Sequence, residues 1–391
     1  MTSITWTNEY ITPTYSRIEI ALEKGNGYYV FDEEGNRYLD FTAGIGVNSL
    51  GYQHKEWLSA TQSQLNLLQH TSNLFYTNPG AQLAQKLCTR TGMKHVLFVN
   101  SGAESNEVAI KVARKYGHQK DPNKHKILTL SNSFHGRTVT TLSATGQDVF
   151  HQYFDPFTEG FEFVQTNNLE DLRTKIDQSV CAIMIELVQG EGGVVPLDQT
   201  FVEAVVEVCE QNDCLLIIDE VQTGIGRTGK LFAYEHFGLK PDVVTSAKGL
   251  GNGLPIGAAL LGEKVEHVLE PGDHGSTFGG NPVVAAGANV VLDTMTDNFL
   301  TQITENGDWL KEKLLALDGV ESVSGLGLMI GVTFKSLSAK EVVAKAKEEG
   351  VLFLTAKEKV RLLPPLIIDE QAIDEAVNCI KNILKVEVGV S

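Results

Sequence analysis

The chain has 391 residues, 42% of them hydrophobic and 21% charged, which suits an ordinary globular protein of about two or three domains. Its 49 acidic against 32 basic residues give a formal charge of -17, which argues against a nucleic-acid backbone or an anionic membrane as partner and favours small molecules. No apolar run approaches the roughly 18 residues a membrane span needs, the opening MTSITWTNEY lacks the form of a secretory signal, and the five cysteines form no C-x-x-C pair, so a cytoplasmic protein with free thiols and no metal site is expected.

In chain order, residues 1–50 read as short strands, with GNGYYVFDEEGNRYLDFTAG punctuated by Gly-Asn and Glu-Gly turns. From about residue 51 to 285, apolar runs alternate with amphipathic segments: HVLFV before helix-like NEVAIKVARKY, then KILTL, CAIMIEL, helix-like TFVEAVVEVCEQN, CLLIIDE, DVVTSAK and AALLGE. Continuously apolar strands imply a sheet covered on both faces, hence an α/β unit with a mostly parallel sheet. Residues 286–391 change again: a long helix continues from NPVVAAGANVVLDTM, VESVSGLGLMIGVTF reads as a hairpin, and helix and strand alternate to the end. The two ends are expected to pack together as a smaller α+β domain.

Where HVLFV breaks at Asn-Ser-Gly-Ala, a strand ends in a small-residue loop that opens a helix. Free backbone N–H groups and the positive end of the helix dipole there suit an anion. Ser101, Gly102 and Ala103 form that loop. A tight turn with a capping serine has the same appearance. In CLLIIDEVQTGIGRTG, Asp219 follows five apolar residues, which sets its carboxylate at the carboxyl end of a buried strand, the edge where open α/β sheets bind ligands. A buried carboxylate needs a cationic or donor partner, and a protonated pyridine nitrogen is one; a cap on a neighbouring turn is another. Lys248 ends the strand of PDVVTSAKGLGNG and is followed by Gly249, Gly251 and Gly253. Desolvation there drives an amine toward the neutral, nucleophilic form that Schiff-base chemistry requires, although a mobile surface loop can also look like this. A phosphate loop, a strand-end acid and a strand-end lysine together fit one ligand, pyridoxal phosphate.

Gly224-Ile-Gly-Arg-Thr-Gly229, with Asp242 downstream, resembles a dinucleotide fingerprint. The first glycine comes five residues after Asp219 and no helix-opening segment follows, so a nicotinamide-dependent oxidoreductase is the weaker alternative, alongside a non-catalytic scaffold.

YLDFTAGIGVNSLGY, NSGAESNEVAIKVAR, SFHGRT, ELVQGEGG, IIDEVQTGIGRTG, SAKGLGNGLPIGA, HGSTFGGNP and VRLLPPLII stand in the order found in class III aminotransferases, and the chain resembles that pyridoxal-phosphate family over nearly its whole length. The resemblance implies the type I fold of pyridoxal-phosphate enzymes and a homodimer with shared sites. It assigns Lys248 to the cofactor carbonyl and to proton transfer, and Asp219 to the pyridine nitrogen. It gives phosphate to Ser101, Gly102 and Ala103, the two ring faces to Phe134 and Val221, and the ring hydroxyl to Gln222, with Glu186 holding Gln222 and Glu220 beside the cofactor. Thr277 is similar to a residue that reaches phosphate from the neighbouring subunit. For substrate, it implies Arg137 as the α-carboxylate clamp with Ser276 nearby, and Glu191 as a switch covering Arg361. The resemblance is nearest to the branch that transaminates N-acetylornithine with 2-oxoglutarate in arginine biosynthesis. Leu187 for the usual proline, and Tyr52 and Lys55 in GYQHKE, depart from the pattern, and ornithine, succinylornithine, γ-aminobutyrate or an acylated lysine stay open as donors.

Overall fold

The computed structural model describes residues 2–388. Its centre is a seven-stranded sheet in the order His95–Val99, Gly257–Leu261, Val243–Ser246, Leu215–Asp219, Val180–Ile185, Lys126–Leu130 and Phe161–Val164. All neighbouring pairs are parallel except those made by Gly257–Leu261, which runs antiparallel to both its neighbours. Val180–Ile185 and Leu215–Asp219 are buried at every position, as the continuous apolar runs require of strands covered on both faces.

One face is covered by the 19-residue helix Gly102–Lys120, whose Val108, Ala109, Val112 and Ala113 point into the sheet. The other carries the helix Gln199–Gln211, with Phe201, Val202, Val205 and Val208 buried in the larger core. The helix Gly102–Lys120 starts against the first two strands of the sheet. A Cβ on Gly257 would stand 2.2 Å from the Ser101 carbonyl oxygen, so only glycine lets the strand lie under that loop.

The chain ends share their sheet. Leu22–Asn26, Tyr29–Asp32 and Arg37–Asp40 form an antiparallel meander, and Val351–Leu352 adds to it parallel to Arg37–Asp40. A second sheet joins the hairpin Val320–Leu326 and Met329–Phe334 to Lys359–Leu362 and Leu354–Ala356. This hairpin is the one expected from VESVSGLGLMIGVTF. Arg227 fastens these strands to the central unit: it is buried, and its guanidinium donates to the Leu328 carbonyl at 3.0 Å and the Pro364 carbonyl at 2.6 Å. No helix among the described residues is long and apolar enough to cross a membrane.

Candidate active site

A cavity of about 410 Å³ opens where the strands Leu215–Asp219 and Val243–Ser246 end and the helix Gly102–Lys120 begins. It is the carboxyl edge of the sheet, the place where α/β folds bind ligands. Ser101, Gly102, Ala103, Phe134, Arg137, Asp219, Val221, Gln222, Lys248 and Glu186, all singled out in the sequence, line it.

Lys248 follows the strand Val243–Ser246 by two residues and opens a short 3₁₀ turn in the left-handed region, at φ 41°. That conformation is costly for a residue with a side chain, so the surroundings must enforce it. They do so through two ties to the 47–51 segment: Ser49 donates to the Gly249 carbonyl at 2.7 Å, and Asn252 accepts from the Leu50 amide at 2.8 Å. The residue is half-buried on the cavity wall, and its amine makes no hydrogen bond or ion pair among the described residues. Burial, only partly offset by the charge of Glu191, pulls the amine down to about 8.

Asp219 faces the same cavity and is 3% exposed. Its Oδ1 accepts from the Val221 amide at 3.0 Å, and its Oδ2 accepts from Asn106 Nδ2 and pairs with His135 Nδ1, each at 2.8 Å. Burial opposes a charge on His135, but the hydrogen bond and charge of Asp219 outweigh it and raise the imidazole above its ordinary value. The carboxylate is thus held in one orientation. His135 and Asn106 were not singled out in the sequence. Asn106 left a trace there, as a polar residue on the apolar face of an amphipathic helix.

The strand-end loop places Ser101 as helix N-cap, accepting from the Glu104 amide at 3.2 Å, with Gly102 and Ala103 as the first helical residues. Their amides belong to the unsatisfied first turn. Val221 packs so closely on Gly102 that a Cβ there would stand 2.6 Å from Val221 Cγ1.

Two expectations need correction. Glu186 does not hold Gln222: its oxygens accept from the Phe134 amide at 3.0 Å and the Gly190 amide at 3.4 Å, so it supports the loop that carries Phe134. Burial, partly countered by His135, raises this carboxyl to about 7. Gln222 instead accepts from Arg361 at 3.3 Å. Glu220 points away from the cavity, accepting from the Thr223 hydroxyl and from the Tyr234 amide at 2.8 Å; alternation along the strand-end sends neighbouring side chains to opposite sides.

Arg361 is 3% exposed and meets Glu191 at 2.6 Å, linked through Gln222 to the cavity wall. Ser276 and Thr277 do not line the cavity. Ser276 Oγ accepts from Asn100 at 3.0 Å and from the Gly279 amide at 2.9 Å, and Thr277 is exposed. Asp242, the acid of the dinucleotide reading, accepts from the Leu216 amide at 2.8 Å and takes no part in the site.

These residues fit pyridoxal phosphate: an unpaired amine with a depressed pKa, an oriented carboxylate with lone pairs to spare, and an open helix N-terminus share one cavity. The comparisons with known proteins agree. The aminotransferase class-III family pattern matches residues 10–384. The acetylornithine aminotransferase of Haemophilus ducreyi is 55% identical over 378 residues, covering 96% of each chain. That of Aquifex aeolicus is 46% identical, covering 96% of this chain and 100% of its own. Among solved structures, ornithine aminotransferase from Toxoplasma gondii ME49 superposes with a TM-score of 0.94 at 32% identity, covering 99% of this chain and 95% of that one. N-acetylornithine aminotransferase from Stenotrophomonas maltophilia K279a gives 0.86 at 32% identity, covering 99% and 100%.

Proposed function

The chain belongs to the class III aminotransferases, enzymes that use pyridoxal phosphate, and we propose that it transaminates N-acetylornithine with 2-oxoglutarate, giving N-acetylglutamate semialdehyde and glutamate in arginine biosynthesis. The observation that carries the substrate class is Arg137: it lines the cavity and makes no ion pair among the described residues, so its donors stand ready for a carboxylate. The relatives bearing the name acetylornithine aminotransferase support the acetylated donor.

When bound, the cofactor supplies an electrophilic carbonyl and an electron-withdrawing ring. Lys248 reacts through its neutral amine and carries the proton to and from the substrate carbon, a task matched to a pKa near 8. Asp219, fixed by His135, Asn106 and the Val221 amide, keeps a proton on the ring nitrogen. Ser101, Gly102 and Ala103 would hold the phosphate, Phe134 and Val221 would flank the ring, and Gln222 would meet its hydroxyl; all of them line the cavity. Arg137 binds the α-carboxylate, and Glu191 covers Arg361 until the second carboxylate of 2-oxoglutarate competes for it.

The working unit in this reading is a cytoplasmic homodimer. Leu74, Phe75, Tyr76 and Phe278 are exposed next to one another, since Asn73 donates to the Ser276 and Gly279 carbonyls. Apolar surface of this kind suits a second copy, which would carry Thr277 to the neighbouring phosphate. Residues 51–285 form the cofactor-binding unit in this reading, with 1–50 and 286–391 as the smaller one.

The test is turnover of N-acetylornithine, ornithine, succinylornithine and γ-aminobutyrate with 2-oxoglutarate, in the native enzyme and in Arg137→Ala. The acetylated donor should lead, and the substitution should damage α-carboxylate donors more than γ-aminobutyrate. Equal losses for all four donors would remove Arg137 from this role.

A further inference from the structure

Two arginines stand at this site, and they are held in opposite ways. Arg361 is buried and spends its guanidinium on Glu191 and Gln222. Arg137 is exposed and, among the described residues, is held by aromatic rings alone: its guanidinium carbon lies 4.0 Å from the ring centre of Phe150 and 5.5 Å from that of Phe134. Phe150 also meets Phe134 edge-on, with ring centres 5.9 Å apart and planes at 77°. It does not line the cavity; it touches two residues that do.

We propose that Phe150 is a positioning residue that presets the Arg137 guanidinium for a substrate carboxylate and thereby sets how tightly dicarboxylates bind. The proposal rests on the reading of Arg137 as the carboxylate clamp.

A long side chain at a cavity mouth samples many rotamers, and a ligand that binds it must order it first. A ring face restricts those rotamers through cation–π attraction without occupying any N–H. A carboxylate partner would restrict them equally well but would take up the donors the substrate needs, as Glu191 does with Arg361. The ring can play this part because its own segment is fixed. Phe150 closes a 3₁₀ turn with its amide bonded to the Gln147 carbonyl at 3.0 Å. Gln147 is buried and donates to the Ser133 carbonyl at 3.0 Å, and the Gly146 amide donates to Ser133 Oγ at the same distance. Ser133 immediately precedes Phe134, so aromatic support and clamp are built on one anchored segment.

The experiment is calorimetric titration of glutarate, a non-reacting analogue of 2-oxoglutarate, into the cofactor-loaded enzyme. The proteins are wild type, Phe150→Leu, Phe150→Trp, Arg137→Ala and the Arg137→Ala/Phe150→Leu double variant. Phe150→Leu should weaken binding by roughly threefold to tenfold, the span of a partly exposed cation–π contact. Phe150→Trp should bind as wild type does, which also separates lost positioning from a damaged fold. The double variant should bind no more weakly than Arg137→Ala, because the ring acts through the arginine. Wild-type affinity in Phe150→Leu, or losses that add in the double variant, would overturn the role of Phe150 while leaving the clamp in place. Unchanged binding in Arg137→Ala would overturn the clamp itself, and with it this role.

Discussion

His135 Nδ1 donates to Asp219 Oδ2 across 2.8 Å, and the two residues are only 2% and 3% exposed. A pair so enclosed ties the protonation of the imidazole to the charge that faces the cofactor. Its folded-state pKa is raised, through Asp219 and against burial, above the ordinary value of about 6.5. A raised histidine contributes stability that is fully present below that ordinary value and is lost as pH rises through the folded one.

His135→Gln should therefore cost about 3 kcal/mol of unfolding free energy near pH 6, the scale for removing one member of a buried pair. The difference from wild type should shrink as pH rises beyond neutrality. Urea unfolding of both proteins from pH 5.5 to 9 measures this; a difference that stays flat across that range would contradict a charged imidazole.

Lys248 carries the opposite linkage. Burial, offset only in part by Glu191, lowers its amine from 10.5 to about 8. At pH 7.5 this raises the neutral fraction from roughly one in a thousand to about one in four. The charged form is the costly one in the folded protein, so the penalty is fully present below about pH 8 and disappears above the unfolded value. Lys248→Met should abolish transamination and the borohydride-trapped mass increment of bound cofactor. In the cofactor-free protein it should instead stabilise the fold at pH 7 by about 1–2 kcal/mol, because the lysine is half-buried and water screens part of the cost. A destabilised Lys248→Met apoprotein would show that the amine is satisfied in place.

The Glu191–Arg361 pair separates a gate from a brace. Burial pushes the Glu191 carboxyl up, but the charge and hydrogen bond of Arg361 prevail and hold it below the usual carboxylate range. A depressed carboxylate contributes stability above the ordinary value of about 4.3 and loses it as pH falls through the folded value, so the pair is intact at neutral pH. Glu191→Gln should cost about 1–3 kcal/mol of stability, since it leaves a buried guanidinium short of a counter-charge. If Glu191 covers Arg361 only until the oxo acid arrives, the same substitution should lower KM for 2-oxoglutarate severalfold relative to KM for the amino donor. A loss of stability with both KM values unchanged identifies a brace.

How much of this was legible depended on whether the signal was local. Strands such as CAIMIEL and CLLIIDE announced themselves because burial on both faces leaves no room for polar alternation. Asp219 and Lys248 were legible because each ends such a run. Glu220 was misplaced because adjacency in sequence says nothing of side: it turns to Thr223 and Tyr234 while Asp219 faces the cavity. Glu186 was misassigned for a related reason. Its partners are the amides of Phe134 and Gly190, and no side-chain pattern records which carboxylate a backbone amide will meet. The aromatic support of Arg137 lies in the same class, since Phe150 reaches it through a turn anchored by Gln147 rather than through any period.

Gly102 offers the most local test of the cofactor cradle. It is the first residue of a helix and its φ is not in the left-handed region, so alanine suits its backbone and would ordinarily favour the helix. The added Cβ would stand 2.6 Å and 2.9 Å from the two methyl carbons of Val221, too close unless that side chain shifts. Val221 lines the cavity, and its amide holds Asp219 Oδ1 at 3.0 Å, so a shift there disturbs the cavity wall and the carboxylate together. Gly102→Ala should cost about 1–3 kcal/mol as an overpacking change and weaken cofactor binding by roughly tenfold or more. Adding Val221→Ala removes the two methyl groups in the way, so the double variant should recover most of the stability but only part of the cofactor affinity, because the cavity wall is cut back. Thermal unfolding of the apoproteins and fluorescence titration with pyridoxal phosphate measure the two effects separately. A double variant no more stable than Gly102→Ala would show that the contact with Val221 is not what makes the glycine necessary.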